Sequence, residues 1–253
     1  MAVVKKWKVK IPQLSGEAER RAYIYLPASY RKEPEKRYPV MYMFDGHNVF
    51  FDADATFGKS WGMYDYLKKN KNELIVVAVE CNHEGNRRLV EYSPMSYENS
   101  AMGKIKGKGS IMLNWMVNYL KPYIDKEYRT LTDRKNTIIC GSSMGGLMAL
   151  YGAVSYNRYF QRAACLSPSL WVNDGAVLEL IAKARISRDT CIYMDYGSEE
   201  MFNHAANAAA LTSTSHLLLN KHVNLAFRIV PGGTHSEASW EKQIPVFMEC
   251  LGI

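Results

Sequence analysis

No stretch of this 253-residue chain approaches the ~18 consecutive apolar residues that a membrane-spanning helix requires. The opening segment, MAVVKKWKVKIPQLSG, carries lysines but neither an apolar signal core nor a small-residue cleavage site. A cytoplasmic protein that makes no membrane contact is therefore expected, with a processed secreted form as the alternative. Cysteine is sparse and odd in number: Cys81, Cys140, Cys165, Cys191 and Cys250 show no metal-ligand spacing, and most lie in or beside apolar runs. That pattern favours buried free thiols in a reducing compartment over a disulfide framework or a zinc site. Repeats, low-complexity tracts and linker-like shifts in composition are also missing, so residues 1–253 are expected to form one domain. The net charge is +7, yet no basic run is interleaved with aromatics: RKEPEKR mixes signs and KIKGKG is a short loop. Nucleic acid is excluded as an expected partner, and the surplus is read as a scattered surface that can steer acidic molecules over long range.

What the chain does contain is a rhythm of short β-rich runs: AYIYLP, YPVMYMF, LIVVAVE, NTIIC, AACLS, CIYMDYG and LAFRIV. The later runs are continuously apolar, as strands buried on both faces of a parallel sheet should be. Helical patterns separate them. Met112, Trp115, Met116, Tyr119, Leu120, Tyr123 and Ile124 repeat at helical spacing and predict one broad core-facing stripe. Leu147, Leu150, Tyr151 and Val154 predict a second amphipathic helix, and Trp240, Ile244, Phe247 and Leu251 a third. Strands alternating with helices imply a three-layer α/β/α sandwich with a mostly parallel central sheet. The first strands lack intervening helices, so an antiparallel N-terminal edge is expected. The segment between CLSPSLW and CIYMDYG is short, which leaves room for only a minimal lid.

The chemistry concentrates in ICGSSMGGLMAL, Ile139–Leu150. Gly141-Ser142-Ser143-Met144-Gly145 fits the G-x-S-x-G elbow, with a buried strand before it and a helix after it. Flanking glycines clear space around a nucleophile held in a strained turn, so the central Ser143 is the candidate and Ser142 a locally bonding hydroxyl. A serine hydroxyl needs a base, and the base an orienting carboxylate. His235, in IVPGGTHSEASW after the last strand, stands where the base belongs. His83 comes too early in chain order, and His204, His216 and His222 accompany an Ala- and Leu-rich helical stretch. The acid comes from CIYMDYGSEE: Asp195 lies within the strand pattern, whereas Glu199 and Glu200 lie beyond Gly197, and spacing alone does not separate them. Two backbone donors must meet the developing oxyanion. The N–H of Met144 follows the nucleophile, and the N–H of His47 follows Asp45-Gly46 at the end of an earlier strand.

Taken together, YPVMYMFDGHNVF, NRRLVEYSP, YLKPYIDKEYRTLTDRKNTIICGSSMGGLMAL, CLSPSLW, YGSEE and GGTHSEASW follow in order within roughly residues 20–250. They resemble the esterase D and enterochelin esterase-like branch of the α/β-hydrolases, which includes the feruloyl and acetyl esterases of carbohydrate esterase family one. The resemblance implies Ser143 as nucleophile, His235 as base and His47 as second oxyanion donor. Relatives place the acid three residues after the strand-ending glycine, which here is Glu200. It implies no cofactor and no metal, and Asp52 and Asp54 lack a calcium ligand pattern and read as solvated loop acids. The implied function is a serine carboxylic ester hydrolase removing feruloyl or acetyl groups from a carbohydrate, with Trp171 and Trp61 as candidate walls for the oligosaccharide or other small ester. A siderophore trilactone esterase and an S-formylglutathione-type thioester hydrolase are the alternatives within the class. A silent carbohydrate- or protein-binding relative is the alternative outside it, and such a module has no need of Ser143, Glu200 and His235 together.

Overall fold

The computed structural model describes residues 1–99, 103–200 and 204–253. Ten strands lie among them: β1 (Val3–Lys10), β2 (Glu19–Leu26), β3 (Val40–Met43), β4 (Ile75–Val79), β5 (Tyr97–Asn99), β6 (Gly103–Ile105), β7 (Thr137–Ser142), β8 (Arg162–Leu166), β9 (Cys191–Gly197) and β10 (Asn224–Val230). Eight form one sheet in the order β1-β2-β4-β3-β7-β8-β9-β10, and β5 and β6 pair apart as a hairpin. β1, β2 and β4 pair antiparallel; every later neighbour is parallel. This is the α/β-hydrolase arrangement, a mostly parallel sheet with an antiparallel N-terminal edge and helices on both faces.

The period of two along each strand divides the core. Val40 and Tyr42 of β3, with Ile75 and Val77 of β4, enter one apolar cluster, whereas Met41, Met43, Val76 and Ala78 enter the cluster on the opposite face. Two continuous cores require helices on both sides, which makes the layers unavoidable. The double-sided burial of the strands decides this.

Three expectations change. The helix Met144–Ser155 is buried nearly all round, ten of its twelve residues being inaccessible, because it packs at the centre of the sheet rather than along its margin. The stripe from Met112 to Ile124 is broken by a π-helical segment, Met116–Leu120. The wider turn rotates the following residues, leaving Tyr119 61% and Tyr123 45% exposed while Met112, Trp115, Met116, Leu120 and Ile124 stay buried. Asp54 is not a solvated loop acid: Lys6 and Arg21 both ion-pair with it, and Asp52 accepts hydrogen bonds from the Ser60 amide and hydroxyl. The five cysteines are free thiols, with Cys81, Cys140 and Cys165 buried, Cys191 intermediate and Cys250 exposed. No helix among the described residues is long and apolar enough to cross a membrane.

Candidate active site

The site forms at the C-terminal ends of the parallel strands, where loops after β3, β7, β8, β9 and β10 converge. β7 ends at Ser142, and Ser143 takes the turn with φ 56° and ψ −125°. A left-handed φ on a residue with a Cβ is strained, and such strain persists only where surrounding packing enforces it. The enforcement is visible at Gly141: a Cβ there would lie 2.5 Å from the carbonyl oxygen of Gly145. The elbow therefore closes on its own backbone, and only glycine permits the approach. Ser142 has no hydrogen-bond partner for its hydroxyl among the described residues, so its place is set by the strand rather than by a local hydroxyl contact.

Ser143 Oγ lies 3.4 Å from Ser169 Oγ, and Ser143 and His235 both border two arms of one cleft. The His235 ring packs edge-on against Trp240, with centroids 5.1 Å apart. Its Nδ1 is 2.9 Å from Glu200 Oε2. Glu200 is 5% exposed, and its other oxygen accepts from the Gly197 amide at 2.9 Å and from the Ser167 hydroxyl. Ser167 in turn accepts from the Trp240 indole N–H at 3.0 Å. A buried carboxylate with all these donors is fixed in orientation, which is what an imidazole partner requires.

The two competing acids stand elsewhere. Glu199 is exposed, its amide bonded to the Gly233 carbonyl. Asp195 is 1% exposed and joins β9 to the loop after β8: it accepts from the Ser167 amide at 3.0 Å and the Tyr193 hydroxyl at 2.8 Å. Burial pushes its carboxyl up to about 6.

Across the cleft, Gly46 permits the loop after β3 to cross β4 closely, since a Cβ would sit 2.9 Å from the Ala78 carbonyl carbon. Asp45, at φ 54°, receives Arg88 through paired bonds of 2.8 and 2.7 Å. Burial opposes charge on Asp45, but the guanidinium outweighs it and holds the carboxyl below its usual range. His47 is 4% exposed, and desolvation lowers its pKa, so the ring is neutral at neutral pH. The main-chain N–H groups of His47 and Met144 have no acceptor among the described residues, which leaves two donors beside the elbow.

The larger arm, about 530 Å³, includes His47, Phe57, Lys59, Arg88 and Glu237. The smaller, about 90 Å³, is lined by Pro168, Leu170, Trp171, Tyr196 and Leu211. Trp171 is 50% exposed and meets Tyr97 edge-on at 6.4 Å. Trp61 is 3% exposed, packed between Trp240 and Phe247, and offers the larger arm only part of its floor.

Sequence reasoning gave no role to Ser167, Ser169 or Arg88. The signal for the serines was present in CLSPSLW, which begins at the C-terminal end of β8, where parallel sheets present their ligands.

A sequence model of the family described as "Putative esterase" matches residues 15–248. The chain belongs to this esterase family. It is accordingly a carboxylic ester hydrolase. The uncharacterized protein YbbA of Bacillus subtilis strain 168 is 24% identical over 184 residues, covering 72% of this chain and 69% of that one. Two solved structures illustrate how the fold recurs. An IroE-like serine hydrolase from Shewanella oneidensis superimposes with a TM-score of 0.73 at 18% identity, over 100% of this chain and 88% of that one. The ferulic acid esterase AmCE1/Fae1A of the anaerobic fungus Anaeromyces mucronatus gives 0.66 at 20% identity, over 95% and 88%. At such identities the likeness is one of fold.

Proposed function

We propose that this esterase works through Ser143, His235 and Glu200, by way of an acyl-enzyme, and removes short acyl groups from a carbohydrate. The observation that carries the reading is the Glu200–His235 contact of 2.9 Å beside a serine at φ 56°. In this mechanism the Ser143 hydroxyl, now beside Ser169, turns to His235 Nε2; hydrogen bonds of this kind are often loose before substrate binds. His235 takes the hydroxyl proton as Oγ attacks the ester carbon. The N–H groups of His47 and Met144 receive the oxyanion, and losing one such donor typically costs about 3–4 kcal/mol of transition-state stabilisation. Collapse breaks the ester C–O bond, and the departing alcohol takes the proton from His235. Water then repeats the sequence on the acyl-serine.

Charge pairing within the cleft supports a neutral alcohol portion. Lys59 is bound to Glu241 at 2.7 Å and Arg88 to Asp45, so the two cations of the larger arm are already neutralised. A siderophore bearing several anionic catechols gains little there despite the net charge of +7. The exposed rings of Phe57 and Trp171 flank the cleft as platforms for a sugar. The apolar arm of about 90 Å³ is smaller than the ~150 Å³ of a benzene-binding cavity, and it suits acetyl better than feruloyl.

The test is a specificity panel of acetylated xylo-oligosaccharide, methyl ferulate, a trilactone siderophore and S-formylglutathione, run beside Ser143→Ala. The acetylated oligosaccharide is expected to give the highest kcat/KM, and Ser143→Ala to lower kcat about 10⁶-fold. Full activity of Ser143→Ala removes the mechanism. A preference of about tenfold or more (about 1.4 kcal/mol) for the siderophore or the thioester removes the substrate reading.

A further inference from the structure

Three side chains that the proposed ester chemistry does not use as acids, bases or nucleophiles meet at the far wall of the larger arm. β3 and β4 are parallel neighbours, so the segments that leave their C-terminal ends run side by side. The first carries His47; the second carries Cys81 and His83, two residues apart and so able to face the same way along an extended segment. One ligand atom from each of the three lies within 4.8 Å of the others. The two imidazoles meet edge-on, with centroids 4.5 Å apart. Cys81 is a free thiol, 3% exposed, and His47 Nδ1 is buried without a hydrogen-bond partner. Leaving a buried polar atom unpaired costs about 1–3 kcal/mol, so simple packing of a histidine pair leaves that nitrogen unexplained.

We propose that His47, Cys81 and His83 form a binding site for a zinc-class divalent ion, and that the bound ion inhibits ester hydrolysis. Two imidazoles and a thiol are the donors such an ion prefers, whereas calcium and magnesium take oxygen. Tetrahedral coordination, with metal–nitrogen bonds of roughly 2.0 Å and a metal–sulfur bond of roughly 2.3 Å, sets the ligand atoms roughly 3.3–3.5 Å apart, so atoms now within 4.8 Å of one another close by at most about 1.5 Å. His83 is exposed and can supply its share of that movement by side-chain rotation, and small side-chain shifts of the buried His47 and Cys81 supply the rest. As the metal–sulfur bond forms, the Cys81 thiol releases its proton to solvent; the imidazoles bind neutral, and a water fills the fourth position. All three residues line the larger arm, so that position opens onto the cleft containing Ser143. The ion then holds substrate oxygen away from the serine and fixes the residue whose N–H is the proposed oxyanion donor. The inhibition rests on the mechanism proposed above; the metal site itself does not.

The site is tested by titrating chelator-treated protein with Co²⁺ and, separately, by assaying p-nitrophenyl acetate hydrolysis with and without Zn²⁺. Wild type is expected to bind one equivalent of Co²⁺ with a thiolate-to-cobalt charge-transfer band in the near ultraviolet. Cys81→Ser should lose the band, and His83→Ala should bind more than about tenfold more weakly. Zn²⁺ should inhibit wild type reversibly on addition of EDTA. Each variant, compared with itself at the same Zn²⁺ concentration, should resist. Metal-free thermal unfolding of both variants shows that they are folded. Absence of a stoichiometric band, or a band and inhibition that survive in both variants, overturns the site; the latter directs attention to the exposed Cys250 thiol. Binding without inhibition overturns the inhibitory role. A wild type with no hydrolytic activity refutes the mechanism at Ser143, while the cobalt titration still decides the site.

Discussion

Replacing Glu200 by glutamine changes one atom of the candidate site and almost none of its volume. The Glu200 oxygen that accepts from the Gly197 amide and the Ser167 hydroxyl must remain a carbonyl, since the amide at 2.9 Å can only donate. The new NH₂ group therefore faces His235 Nδ1, where a carboxylate oxygen stood 2.9 Å away. Two donors cannot face each other, so the ring adopts the tautomer with its proton on Nε2. That nitrogen then cannot take the Ser143 proton. A wrong-tautomer imidazole lowers kcat by about 10⁴, which at about 1.36 kcal/mol per decade is about 5 kcal/mol of activation free energy. The assay is steady-state hydrolysis of p-nitrophenyl acetate by Glu200→Gln and Glu199→Gln, with thermal unfolding as a fold control. Glu199 is exposed, and its change is expected to leave kcat within about threefold of wild type, as for surface substitutions of about 0.5 kcal/mol or less. Retention of more than a tenth of wild-type kcat (about 1.4 kcal/mol) by folded Glu200→Gln, or a collapse confined to Glu199→Gln, refutes the reasoning.

Asp195 supplies a prediction about pH. Its folded pKa of about 6 lies above the ordinary 3.8 because burial penalises the charge. The folded protein thus holds that proton more tightly than the unfolded chain, and this group's contribution to stability falls as pH rises from about 4 to 6. The loss is about 3 kcal/mol at about 1.4 kcal/mol per unit. Asp195→Asn keeps an acceptor for the Ser167 amide and a partner for Tyr193 without a charge, so its stability in urea should gain about that much on wild type between pH 4 and pH 8; a constant difference across this range counts against the assignment. Gly141→Ala places a Cβ 2.5 Å from the Gly145 carbonyl oxygen and should destabilise the protein by about 1–3 kcal/mol, as overpacking does, and reduce activity with it. Urea unfolding indistinguishable from wild type shows that the elbow yields more easily than its geometry implies.

Local pattern carried much of this molecule. NTIIC followed by GSSMGG is strand, turn and helix whatever surrounds it, so Ser143 and the turn that strains it were legible without coordinates. The position of His235 after the last strand was legible for the same reason. β1 was not: VVKKWKVK alternates lysine with apolar residues and carries no buried run, because an edge strand meets solvent on one side. Nor was the exposure of Tyr119 and Tyr123, since apolar spacing is blind to a π turn within the helix.

By itself, then, the sequence pointed to the layered α/β fold and the elbow, both consequences of period and turn chemistry over short spans, while the proposed order of serine, acid and histidine came from likeness to the α/β-hydrolase pattern. Spacing did not separate Glu199 from Glu200; the family resemblance pointed to Glu200, and the tertiary structure gives the physical difference between the two. Neighbouring residues on a loop share every property that composition can measure, and burial beside Ser167 and Trp240 is what distinguishes the second. It likewise joined His47 to Cys81 and His83, residues with no ligand spacing along the chain. They meet because β3 and β4 lie side by side in parallel, and that adjacency is a property of the sheet as a whole.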